Sequence, residues 1–239
     1  MTVPMPATWS QVEGIITGLG RCDSPGAPIA NASVVFLDSA GRFWSQTTDD
    51  AGHFIVWLDS AQEPLTITAL APNYITAQQM NVELTSGGST EVDLSLRLLA
   101  PCISTVPTDT IEVTLALGET EQRTLQVNNS GSSAADFMVL ELGEIVPAQQ
   151  IQTESVDPVE EIDWLTTAPI SGTVPADSMI EINFTFDANP LYVDAPEDCF
   201  GEVMLAVDDP MQPAAHLSVT MHVFDYTEHY LPLVRRSTP

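Results

Sequence analysis

The sequence predicts an all-β protein built as two tandem β-sandwiches, and three observations carry that expectation. Short runs rich in Val, Ile, Leu, Thr and Phe follow one another through most of the 239 residues, each closed off by Gly, Pro, Asn or Asp. Within those runs the apolar residues recur at every second position, the period of a strand with one buried face. No stretch shows the period of an amphipathic helix. None reaches the roughly 18 consecutive apolar residues of a membrane-spanning helix, so no membrane insertion is expected.

In the first half, strands are expected at 12–19, 32–37, 42–47, 53–58, 65–71, 75–84 and 91–98, punctuated by turns such as Ser24-Pro25-Gly26, Ser39-Ala40-Gly41, Ala51-Gly52 and Ser86-Gly87-Gly88. The last run alternates most cleanly: Val92, Leu94, Leu96 and Leu98 face one way, Asp93, Ser95 and Arg97 the other. A second set is expected at 111–117, 123–127, 137–142, 179–187, 202–207 and 215–224. Ile180, Ile182, Phe184 and Phe186 share a face there, as do Leu217, Val219, Met221 and Val223. One buried face per strand is what a two-sheet sandwich needs. The joint falls at Leu99-Ala100-Pro101-Cys102. The organisation expected is an extension at 1–10, a sandwich at 11–99, a second at 100–225 with an acidic insertion at 141–163, and a tail at 226–239.

Charge narrows the function. The formal net charge is −27, and all six basic residues are Arg. A nucleic-acid binder that neutralises phosphates needs clustered cations, so that class is excluded. Lys-dependent chemistry is excluded too, including Schiff bases and Lys–Asn cross-links. The acidity is concentrated late: residues 1–99 carry three Arg and ten acids, residues 100–239 three Arg and 23 acids. The insertion at 141–163 holds seven acids and no base.

The first residues, Met1-Thr2-Val3-Pro4-Met5-Pro6, have neither the basic nor the apolar region of a secretory signal. The chain is therefore expected to be cytosolic or a piece of something longer with its signal elsewhere. Cys22, Cys102 and Cys199 form no CxxC pair and no zinc-type spacing. One disulfide plus one free thiol is the expected arithmetic. Cys102 and Cys199, falling in the same expected domain, are the expected pair; the alternative is three reduced thiols.

The first domain resembles the carboxypeptidase regulatory-like family, a transthyretin-like (prealbumin-like) sandwich related to Cna-B-type surface modules. The resemblance rests on Val12-Glu13-Gly14-Ile15-Ile16, Ala27-Pro28-Ile29-Ala30-Asn31-Ala32-Ser33-Val34, Thr47-Thr48-Asp49-Asp50-Ala51-Gly52-His53-Phe54 and Ala71-Pro72-Asn73-Tyr74. Asn73 stands where that family usually has Gly, and Asn also tolerates positive φ. In the third motif Asp49 is expected to bond turn amides, Gly52 to supply positive φ, and Phe54 to re-enter the core. The second domain resembles bacterial immunoglobulin-like modules of the BACON type through Gly118-Glu119-Thr120, Val127-Asn128-Asn129-Ser130-Gly131, Asp163-Trp164-Leu165, Pro169-Ile170-Ser171-Gly172-Thr173, Gly201-Glu202-Val203 and Asp208-Asp209-Pro210. The ending Tyr230-Leu231-Pro232-Leu233-Val234-Arg235-Arg236 is similar to the tails of large secreted bacterial proteins. These resemblances imply an extracellular or bacterial cell-surface location and a spacer or binding role rather than an enzyme.

Candidate chemistry is sparse. No Ser or Cys has a nucleophile context such as Gly-x-Ser-x-Gly. His216 and His222 share a strand face opposite Leu217 and Val219, so both should meet solvent, about 20 Å apart and too distant to share a metal. No cofactor is expected, with calcium the one candidate. Asp49, Asp50, Asp194, Asp208 and Asp209 sit in oxygen-rich turns that could ligate it, or simply make good turns. Trp164 is expected in the core. Trp57 points away from Phe54, Val56 and Leu58, and with Trp44 it is expected to form an exposed aromatic patch. Tyr230, Leu231, Leu233 and Val234 are expected to dock on a neighbour. The function expected is a non-catalytic extracellular module, a structural spacer or protein-interaction segment whose partners are other protein domains or its own copies. The alternatives are a self-assembling filament or coat subunit, and a carbohydrate-binding module taking polysaccharide.

Overall fold

A computed structural model describes residues 8–144 and 161–225. The described residues are nearly all strand and turn, with no α-helix among them. The chain forms two compact units, one of residues 1–102 with 130–134, the other of 103–129 with 135–239.

The first unit holds Trp9–Gly18 (β1), Ala27–Pro28 (β2), Ser33–Leu37 (β3), Phe43–Thr47 (β4), His53–Asp59 (β5), Leu65–Leu70 (β6), Ala77–Val82 (β7), Ser89–Glu91 (β8) and Leu94–Leu96 (β9). β1 is the centre of one sheet, antiparallel to β5 and β2 and parallel to β8 and β9. The other sheet runs β4-β3-β6-β7, antiparallel throughout. Val12, Ile16, Phe36, Phe54, Leu65, Ile67 and Leu96 close the core between them. The run expected as one strand over 91–98 is two, interrupted where the Asp93 carboxylate accepts the Ile15 amide in place of a ladder bond.

Close approach fixes one glycine. A Cβ on Gly14 would lie 1.9 Å from the carbonyl oxygen of Val92, so only Gly lets β1 pass that backbone.

The second unit holds Ile103–Val106 (β10), Thr110–Ala116 (β11), Thr120–Asn129 (β12), Ala135–Glu144 (β13), Leu165–Ala168 (β14), Ser171–Val174 (β15), Ser178–Asp187 (β16), Glu197–Val207 (β17) and Ala214–Phe224 (β18). One sheet runs β10-β12-β16-β14, the other β11-β18-β17-β13-β15, with β11 parallel to β18 and the remaining pairs antiparallel. The alternating rows meet as expected. Ile182, Phe184 and Phe186 from β16 pack against Leu217, Val219 and Met221 from β18, with Val203 and Leu205 from β17 beside them. Trp164 is buried and stacks on Phe186, ring centroids 6.0 Å apart. The result is an immunoglobulin-like sandwich in architecture.

The cysteine expectation is corrected. The disulfide joins Cys22 to Cys102, and Cys199 is buried outside it. Cys102 is the last residue of the first unit's main segment, not a residue of the second. The Leu19 amide bonds the Leu96 carbonyl, so the segments leaving β1 and β9 start side by side, which brings the turn holding Cys22 to Cys102. Cys199 points instead into the second unit's core.

Candidate functional site

The turn at 49–54 behaves as its residues require. The Asp49 side-chain oxygen accepts the amides of Ala51 and His53, each at 2.9 Å. Gly52 takes φ 75°, and Phe54 re-enters the core. Asn73 adopts φ 65°, the conformation for which Gly is the usual choice.

The calcium candidates lie in three separate turns. Asp49 and Asp50 precede β5, Asp194 precedes β17, and Asp208 and Asp209 join β17 to β18. Several of the oxygens already serve the backbone. Asp208 accepts the Asp136 amide at 2.8 Å, and the buried Asp209 accepts those of Met211 and Ile103. The Asp194 amide is in turn held by the Glu197 carboxylate. Among the described residues no group of three or more His, Cys, Asp or Glu is placed to hold a metal ion.

The aromatic patch differs from expectation. Trp44 lies opposite Phe36 on β4, partly buried against the first core, with the Arg42 guanidinium 6.0 Å from its ring centre. Trp57 is on the other sheet. Its companion is Trp9, for Trp57 pairs with Gln11 and Trp9 with Asp59, which makes the two indoles diagonal neighbours on the outward face. Trp9 is 38% exposed, Trp57 42% and Ile55 52%. The outward face of β13 shows a second apolar row, Met138, Leu140 and Leu142. Tyr230, Leu231, Leu233 and Val234 lie outside the described residues.

Two carboxylates have displaced ionisation. Asp38 caps the β3–β4 hairpin, accepting the amides of Ala40 and Arg42 and the Arg42 Nε at 2.7 Å. Burial alone would raise it, but the bonds and charge from Arg42 together with the Ala40 amide hold it below the usual carboxylate range. Glu141 lies opposite the buried Val203 on β13, and desolvation pushes it up; the Ile162 amide draws it back and the Glu161 charge adds to the rise.

On the outward face of β18, His216 meets Glu202 at 2.7 Å, and His222 lies between Asp198 at 2.6 Å and Glu112 at 3.0 Å. Parity placed both imidazoles in solvent, but strand register, unreadable from one sequence, chose their carboxylate partners.

No protein-family model matches the chain, and no curated protein matches it in sequence. Solved structures overlap it loosely. The ASH/PapD-like domain of human CEP192 is 14% identical and covers 53% of this chain and 87% of its own, with a TM-score of 0.40. A protein of unknown function from Porphyromonas gingivalis W83 is 12% identical, covering 87% of this chain and 96% of its own at a TM-score of 0.38. The periplasmic chaperone SfaE is 13% identical, covering 52% and 57%, at a TM-score of 0.36. Overlaps this loose add nothing to the architecture read from the sheets themselves.

Proposed function

We propose that this chain is a non-catalytic extracellular module, a solvated spacer or protein-interaction segment of a secreted or surface protein. The observation that carries the reading is the pair of separately closed β-sandwich cores, the first bridged by Cys22–Cys102. A disulfide of this kind persists in an oxidising compartment. High negative charge keeps such a surface soluble and free of adhesion. The resemblances to a carboxypeptidase regulatory-like and a BACON-type domain fit this role.

A second reading, carbohydrate binding, is favoured by one observation, the neighbouring half-exposed indoles of Trp9 and Trp57. Affinity electrophoresis through neutral polysaccharides, with tryptophan fluorescence as a second readout, separates the two. The spacer reading predicts unchanged mobility and emission. Retardation that Trp57→Ala abolishes would overturn it in favour of a glycan platform.

A further inference from the structure

We propose that His222 is a proton-operated clasp, fastening the edge strand β11 to its sheet at mildly acidic pH and loosening it at alkaline pH. The argument begins with the ring. Nδ1 faces Asp198 of β17 at 2.6 Å, and Nε2 faces Glu112 of β11 at 3.0 Å. Ionised carboxylates only accept hydrogen bonds, and a neutral imidazole carries a single N–H. Both contacts are therefore hydrogen bonds only when the imidazole holds two protons. Once it loses one, a nitrogen lone pair faces a carboxylate, and one of the two strands is released.

The surroundings make this contact distinctive. His216, on the same strand face, meets one carboxylate, Glu202, through Nδ1 alone, which a neutral tautomer satisfies. Glu197, next to Asp198, is engaged by the Asp194 amide. Among the described residues, the charged groups that face His222 from the flanking strands are Asp198 and Glu112, both acidic. Those contacts raise its pKa, the Asp198 hydrogen bond first, against partial desolvation, with Glu112 adding to the rise.

The mechanical consequence follows from topology. Among the described residues β11 ends the sheet order and pairs only with β18, along seven positions, 110–116 against 218–224. Glu112 sits near the start of that pairing, so the clasp ties this strand, through β18, to β17. Fastened, β11 covers the hydrogen-bonding edge of β18; loosened, it offers that edge to another strand.

The sign is fixed by linkage. A histidine whose folded pKa is raised stabilises fully below its unfolded value, near 6.5, and loses that stabilisation as pH rises through the folded one. The test is amide exchange of the whole chain at pH 5.8 and 8.2, corrected for intrinsic rates, on wild type, His222→Ala and Glu112→Ala. Protection of 110–116 in wild type should fall by about two- to fivefold between the two pH values, the range of an exposed ion pair. Residues 12–18, in the other unit, should not change. Both variants should show the low, pH-independent level in 110–116. Nitrogen-detected titration of the wild-type imidazole gives a readout independent of any variant's folding, and both ring nitrogens should carry protons at pH 5.8. Equal pH dependence in all three proteins, or an imidazole that titrates no higher than a free histidine, would overturn the proposal.

Discussion

Breaking the Cys22–Cys102 bridge should destabilise the first unit selectively. The bridged positions are 80 residues apart, enclosing nearly the whole of that unit. In the chain-entropy model a loop of that size restricts the unfolded chain by about 4.5 kcal/mol at 25 °C. For a domain of about 100 residues with a urea m-value near 2 kcal/mol/M, the unfolding midpoint should drop by about 2 M. Trp9, Trp44 and Trp57 all lie in this unit, so fluorescence reports it well. The measurement is urea unfolding of the oxidised chain, the reduced chain and the double variant Cys22→Ser/Cys102→Ser. Cys199→Ser serves as the control that keeps the bridge. A midpoint unmoved by reduction, or a non-reducing peptide map that joins Cys102 to Cys199, would refute the reasoning.

Other consequences are as specific. Phe184→Ala empties a fully buried site at the centre of the second core and should cost about 3–5 kcal/mol, seen as an early second-unit transition in denaturant. Gly14→Ala drives a Cβ into the Val92 carbonyl and should cost about 1–3 kcal/mol in the first unit, read from its thermal midpoint. Glu141 has a raised folded pKa, so its stabilisation is present below the unfolded value and lost as pH rises through the folded one. Glu141→Gln keeps an acceptor for Ile162 and should flatten that part of the stability–pH curve; an unchanged curve would show that burial does not perturb this group.

The strand pattern was legible wherever a strand has one wet and one dry face. Ile182, Phe184 and Phe186 announce β16 by parity alone, and Leu217, Val219 and Met221 announce β18. Short strands were not: β10, β14 and β15 have four residues each, too few for alternation to stand out from chance. Local chemistry was also legible, as the Asp49 carboxylate, Gly52 and Phe54 show, because all three act within one turn. Pairings across the fold were hidden. The bridge required knowing that β1 and β9 run side by side, and parallel first and last strands leave no mark in local sequence. Trp44 and Trp57 each alternate correctly along their own strands, yet nothing in the sequence says that those strands belong to different sheets. The carboxylates around His222 come from residues 24 and 110 positions away, joined only by register.

The central claim, a spacer or interaction module rather than a self-assembling filament or coat subunit, is tested most directly by light scattering coupled to size exclusion. The full chain and a chain ending at Asp225 should be compared, each with and without calcium. The account predicts a monomer near 25.8 kDa for the full chain at every concentration, with the shorter chain lighter only by the residues removed. Large assemblies of the full chain that vanish when residues 226–239 are removed would contradict it and make that segment the functional site.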